Sequence, residues 1–412
     1  MAPITIIGGG LAGLTAAVAC AEAGAEVVVH EAHATLGGRA RTTAAPWLAH
    51  VAGGTRSRDS AQPSGLAWGR DLLPPGPHAF YADGPHWSWL VERDLVGPVA
   101  TVPLREVRGI WFHRGGRLRR TLPASVLPLL AHRRRRAPVD VDFHTWAAAL
   151  HSEEAARAAA GLLGVITYDS DPGRLSAAFV WDVLLRVTAP RAPAVRWVVG
   201  GWPVVVDRLA ARARELGVRI VTSSRVDVLP EPPVIVATQL ESARALLGDD
   251  TLAWESGRCV LLDVGLVSAR RDAFVVADLD DAGFVERVTA VDATLAPAGH
   301  ALVQADMPLK PGESRAAALA RLEHLLDLGF PRWRDRVVWR RTGFAAGRSG
   351  ALDLPGSTWR DRPAVDRGDG VFLAGDLVAA PGVRAEVSLN SALHAARLAI
   401  PPVDLRLAPL RR

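Results

Sequence analysis

Ile4-Thr-Ile-Ile-Gly-Gly-Gly-Leu-Ala-Gly13 begins the stretch that decides the fold. Leu14-Thr-Ala-Ala-Val-Ala-Cys-Ala-Glu-Ala-Gly24 and Ala25-Glu-Val-Val-Val-His-Glu31 complete it. Residues 4–7 are a short apolar run with β-branched members, which suits a buried parallel strand. Gly8, Gly10 and Gly13 have the spacing G-x-G-x-x-G. The first permits a tight turn, the second leaves room for a pyrophosphate, and the third lets a helix lie close on the strand. The Ala- and Leu-rich run from Leu11 predicts that helix, with Gly24 as its stop. Its first N–H groups, at Leu11, Ala12 and Gly13, sit at a positive dipole end that favours phosphate. Residues 27–29 read as a second strand. Glu31 follows it, eighteen residues after Gly13, placed to accept hydrogen bonds from a ribose diol. The pattern predicts a dinucleotide site with an unphosphorylated ribose, as in FAD or NAD, and does not choose between them.

The next residues bear on that choice. Leu36-Gly37-Gly38-Arg39 follows the acid after a short spacer. The arrangement resembles that of the flavin-dependent amine oxidase and phytoene desaturase superfamily. The resemblance implies FAD, with Gly37 and Gly38 passing close to the pyrophosphate and Arg39 helping to neutralise it. A bidentate cation beside exposed backbone N–H groups suits that chemistry.

Two later segments extend the resemblance. Residues 195–226 give Gly200-Gly201, a helical run, Leu216-Gly217, a strand and Val226. The resemblance places Val226 against the adenine. Family members then insert a β-meander, whereas this chain goes directly through Leu229-Pro-Glu-Pro-Pro to Val234-Ile-Val-Ala-Thr238, which implies a trimmed domain. The chain closes on Gly370-Val-Phe-Leu-Ala-Gly375-Asp376, a glycine-bearing loop and a helix rich in small residues. By resemblance Gly375 and Asp376 meet the cofactor, the acid on a ribityl hydroxyl. The helix start near Val383 and Arg384 points at flavin N1 and C2=O, where a helix N-terminus favours negative charge.

Composition bounds the rest. With 412 residues, half of them apolar and 22% charged, the chain can bury two substantial cores. A net charge of +5 and no recognisable nucleic-acid motif give no reason to expect a nucleic-acid partner. Lysine occurs once, at Lys310, so 47 of the 48 basic residues are arginine. Cys20 and Cys259 offer no disulfide framework, metal spacing or C-x-x-C pair. Residues 4–21 carry no charge but contain four glycines, and strand, turn and helix account for them. The expectation is a cytoplasmic protein. The apolar segment 122–130 beside His132-Arg-Arg-Arg-Arg136 adds an expectation of peripheral membrane contact through 122–136.

Between the cofactor segments, Gly76-Pro-His-Ala-Phe-Tyr81 resembles the family's return to the flavin ring, which makes His78 the catalytic candidate. Residues 87–96 predict a helix, 110–119 a hairpin, 142–164 a helical region and 176–187 an apolar helix walling a cavity. Runs at 259–265, 273–277, 288–291 and 300–305 predict an antiparallel sheet, and 312–328 an amphipathic helix with Ala318, Leu322, Leu325 and Leu326 on one face. Trp333, Trp339 and Phe344 suit a tunnel lining or a core. The expected fold class is α/β, a discontinuous Rossmann-type FAD-binding domain (1–77, 195–245 and 355–412) with an α+β substrate domain (78–194 and 246–354).

The resemblance implies non-covalent FAD, since no cysteine follows Cys259. It also implies an oxidoreductase moving hydride to flavin N5. The desaturase-like branch, with a mostly apolar small-molecule substrate, fits better than an amine oxidase, because the lone lysine sits in a loop-like Met307-Pro-Leu-Lys-Pro-Gly312. A flavin-dependent double-bond isomerase with no net redox turnover is the alternative of another class.

Overall fold

The computed structural model describes residues 3–40, 79–189, 194–347 and 349–400. His78 lies outside them. Five parallel strands form the first sheet, in the order Val371–Leu373, Val234–Val236, Ile4–Ile7, Val27–His30, Arg219–Val221. Ile4 pairs with Val27 and Thr5 with Val234, so the first strand lies at the centre. Its Ile6 and Ile7 and the facing Val234, Ile235 and Val236 are buried, the near-continuous apolar pattern that a sheet covered on both faces requires. The helix Leu11–Glu22 packs against Trp202–Glu215 and the C-terminal helix Ala385–Ala399. It ends before Gly24, whose φ of +86° only glycine adopts readily. Cys20 is fully buried on this helix as a small core residue.

No strand forms between Arg219–Val221 and Val234–Val236, in line with the direct passage the sequence implied. Val195–Val198 does not join the parallel sheet; it pairs antiparallel with Phe80–Tyr81 and Val99–Ala100. Phe80, Leu90, Leu95 and Val96 accordingly pack in the same core as Ile6 and Leu14. The helix expected at 87–96 is Pro85–Glu92. Proline at its first position supplies the start, and left-handed Asp94 (φ 52°) ends it.

A second sheet has seven strands, in the order Val337–Ala345, Cys259–Val267, His300–Pro308, Phe284–Arg287, Val275–Asp278, Ile110–Arg114, Arg117–Arg119. All neighbours are antiparallel except Val275–Asp278 with Ile110–Arg114. Residues 288–291 are not a strand: Val288–Ala290 is a short 3-10 turn, and Asp292 beyond it caps Thr294 and bonds the Gly200 N–H at 2.7 Å. The helix Arg315–Gly329 covers one face, burying Ala318, Leu322, Leu325 and Leu326 against Val264, Val285, Val303 and Ala305. Trp333 belongs to this core at 1% exposure, so core packing decides its role.

A helical lobe completes the molecule. The region 142–164 is broken into Phe143–Leu150 and Glu153–Gly161 because Ser152 caps the second helix. Ala177–Val187 packs with them and lines a cavity of about 400 Å³ with Asp83, Asp182, Arg186 and Arg196. Val126 and Leu129 of the apolar segment are buried, while Leu127 stays 67% exposed near the arginine run. No helix among the described residues is long and apolar enough to cross a membrane.

One glycine anchors the arrangement. A Cβ on Gly13 would stand 1.8 Å from the Gly8 carbonyl oxygen, on backbone that cannot yield cheaply. Gly13→Ala should therefore destabilise the fold by about 3 kcal/mol. Urea unfolding checks this, and an unchanged midpoint would contradict the packing.

Candidate functional site

Three glycines of the first turn are required by the chain's own packing. A Cβ on Gly8, at φ +112°, would lie 2.5 Å from Ala237 O; the clash at Gly13 is worse. Gly9 also lacks room, because a Cβ would meet Leu36 Cδ2 at 2.6 Å. Gly10 is different. Its backbone is extended, and its Cβ would find no protein atom closer than Gly38 Cα at 3.8 Å. Nothing in the protein demands glycine there, whereas a group lying across the helix start would. The site thus fits a pyrophosphate at the point the spacing predicts. Gly37 bonds to Gly9 through N–H···O at 2.8 Å and bridges to Gly10, and Gly38 (φ +54°) comes against Gly10. The two glycine segments form one surface beside the N-termini of Leu11 and Ala12.

Glu31 ties this surface to the second strand. Its Oε2 accepts the Gly9 N–H at 2.7 Å, and its Oε1 accepts the His33 N–H at 2.8 Å. Burial pushes its carboxyl up, but the backbone N–H groups of His33 and Gly9 and the His33 ring outweigh burial and leave it below the ordinary glutamate value. Oε1 also meets His33 Nδ1 at 2.8 Å, so Oε2 is the oxygen that keeps acceptor capacity for a diol. The carbonyl of Glu31 also accepts the Ser224 N–H at 2.8 Å, and Ser224 Oγ meets His30 Nδ1 at 2.8 Å. Val226, half-buried two residues on, packs against the core of the parallel sheet.

The far C-terminal signature closes on the first. Arg39 Nη1 donates to Asp376 Oδ2 at 2.5 Å, so the cation and the acid assigned from opposite ends of the chain meet. Asp376 Oδ2 also accepts the Gly350 N–H at 3.0 Å, a contact no motif announced. The Gly375 N–H donates to Ser391 Oγ at 3.0 Å, which fixes the loop on the C-terminal helix. Val383 is buried and its N–H donates to Glu386 Oε2 at 2.9 Å, so the helix supplies its own acceptor for that group. Arg384 adopts φ +53° and sends its side chain into the helical lobe. There it donates to Val165 O at 2.7 Å and lies 3.9 Å over the Tyr168 ring.

Sequence reasoning missed the network behind this helix. Arg186 donates to both Glu386 oxygens (3.1 and 2.7 Å) and to Asp83 (2.9 and 2.5 Å), and His86 lies 3.6 Å from Glu386. These residues have no local motif; only folding assembles them. Lys310 lies apart from the cofactor segments, paired with Asp281 at 2.6 Å. Cys259 is buried in a strand, and burial raises its thiol well above the ordinary value. His113, Asp278 and Asp280 gather ligand-type atoms within 4.8 Å, although their spacing gave no metal pattern. Asp278 Oδ1 already meets His113 Nδ1 and the Asp280 N–H, which makes this a locked turn.

Residues 6–92 match the NAD(P)-binding Rossmann-like domain. No curated protein matches the chain. Among solved structures, an oxidoreductase from Methanosarcina mazei is 15% identical with a TM-score of 0.75, covering 96% of this chain and 100% of its own. Cyclohexylamine oxidase from Brevibacterium oxydans is 16% identical, with a TM-score of 0.65 and coverage of 96% and 98%. Putrescine oxidase bound to putrescine is 14% identical, with a TM-score of 0.65 and coverage of 96% and 97%.

The Glu31 geometry sets a pH dependence. Its folded value is depressed, so its stabilisation is complete above the ordinary value of 4.5 and is lost as pH falls through the lower folded value. Glu31→Gln should cost about 1–3 kcal/mol at pH 7. Denaturant unfolding across pH should show that gap narrowing below pH 4.5; a gap constant with pH would contradict the assignment. The chain therefore joins a Rossmann-like dinucleotide-binding domain to a separate, largely antiparallel sheet, a fold it shares with these solved oxidoreductases.

Proposed function

We propose that the protein is an FAD-dependent oxidoreductase that removes hydride from a small-molecule substrate. The observation that carries the reading is the convergence of both glycine segments, Glu31 and the Arg39–Asp376 pair on one surface. The resemblance of the Gly-Gly-Arg and Gly-Asp segments to the flavin-dependent superfamily supports FAD over NAD, and so does a fold shared with solved oxidases.

In this reading Gly10, Leu11, Ala12 and Gly13 present the pyrophosphate to a helix N-terminus. Gly37, Gly38 and Arg39 close over it, and Glu31 takes the adenosine ribose beside Val226. Asp376 and Gly375 hold the ribityl chain, and the helix start at Val383 and Arg384 stands behind the ring. Bound FAD would supply the hydride acceptor. Arg186 neutralises Glu386 at that helix start, which keeps a carboxylate from opposing negative charge there.

Gly10 gives the discriminating test. The added Cβ of Gly10→Ala meets nothing closer than an ordinary contact with Gly38 Cα at 3.8 Å, so the flavin-free variant should unfold within about 0.5 kcal/mol of the parent. Its affinity for added FAD, followed by quenching of flavin fluorescence, should fall at least ten-fold. Unchanged affinity would overturn the placement of the cofactor.

A further inference from the structure

The first turn of the helix Ala385–Ala399 carries a buried carboxylate, Glu386. Arg186 Nη2 donates to its Oε1 at 2.7 Å and Arg186 Nη1 to its Oε2 at 3.1 Å, a bidentate pair. The same guanidinium holds Asp83, from Nη2 at 2.5 Å and from Nε at 2.9 Å. One cation thus serves two acids in different surroundings. The Asp83 side chain is 46% exposed and lines the cavity of about 400 Å³, whereas that of Glu386 is 5% exposed. Solvent screens the outer charge; little screens the inner one.

The third neighbour adds no charge. His86 is buried, donates from Nε2 to Tyr81 O at 3.0 Å, and stands 3.6 Å from Glu386. Burial holds its pKa below the ordinary imidazole value, so the ring is neutral at pH 7. The charge at the helix start therefore depends on one contact, Arg186 with Glu386. The Val383 N–H does not compete for that role, because Glu386 Oε2 already accepts it at 2.9 Å.

We propose that the Arg186–Glu386 pair sets how readily a flavin at this helix start is reduced. Arg186 is a positioning residue that cancels Glu386, and Asp83 holds the guanidinium from the cavity side. The inference rests on the flavoenzyme reading, in which the helix start stands behind the ring. A flavin that has taken up hydride carries negative charge at N1 and C2=O, and charge nearby tunes that uptake. A helix N-terminus favours the negative charge, and an uncancelled Glu386 would oppose it through a poorly screened interior.

The reduction potential of the FAD-loaded protein, measured by slow enzymatic reduction beside a reference dye, tests it. Arg186→Gln should lower the preference for reduced over oxidised FAD by about ten-fold or more, a potential about 30 mV more negative. Glu386→Gln should shift it as far the other way. The double variant should return to within about three-fold of the parent, since the two changes cancel. Asp83→Asn, at the screened end, should raise the preference by less than about three-fold. A role in packing alone would not give shifts of opposite sign that cancel. Arg186→Gln leaves a buried carboxylate without its cation; if it does not fold, Glu386→Gln and the double variant still decide. Glu386→Gln that holds FAD at an unmoved potential would overturn the inference and leave the flavoenzyme reading standing, as would single variants that shift in the same direction. A parent protein that takes up no FAD would overturn the flavoenzyme reading and this inference with it.

Discussion

The hydrogen bond from the Gly9 N–H to Glu31 Oε2 is the interaction on which the cofactor end depends. It joins the turn after the first strand to the end of the second, across 22 residues. Each strand alone is four residues long and would be marginal. The bond fixes where the turn sits relative to the neighbouring strand, and the same carboxylate then orders His33. Through its backbone, Glu31 also captures Val221 and Ser224, so the outermost strand of the sheet is registered by the same residue. A charge buried at 6% exposure would be costly without these donors; with them it becomes the point where three chain segments agree.

The second organising feature is the start of the C-terminal helix. Glu386, in its first turn, takes the Val383 N–H and two bonds from Arg186, which also holds Asp83. One guanidinium thus connects the helical lobe, the entry segment at Asp83 and the helix that backs the cofactor site. Charge-assisted, bidentate pairs of this kind fix geometry as well as add stability. The lobe and the dinucleotide domain are therefore coupled at the start of the C-terminal helix.

Legibility in the sequence followed the range of the interactions. The first strand, turn, helix, second strand and acid are local, and their spacing named Gly8, Gly10, Gly13 and Glu31 directly. Gly9 was passed over because its constraint comes from Leu36 and Glu31, which only the fold brings near. Arg39 and Asp376 were each assigned from their own segments, but their contact spans 337 residues and no pattern carries it.

The central claim is that this surface holds FAD without a covalent bond. The most direct test is a visible absorption spectrum of the purified protein before and after acid precipitation. The account predicts flavin bands that pass wholly into the supernatant. A colourless protein that takes up no added FAD would contradict it.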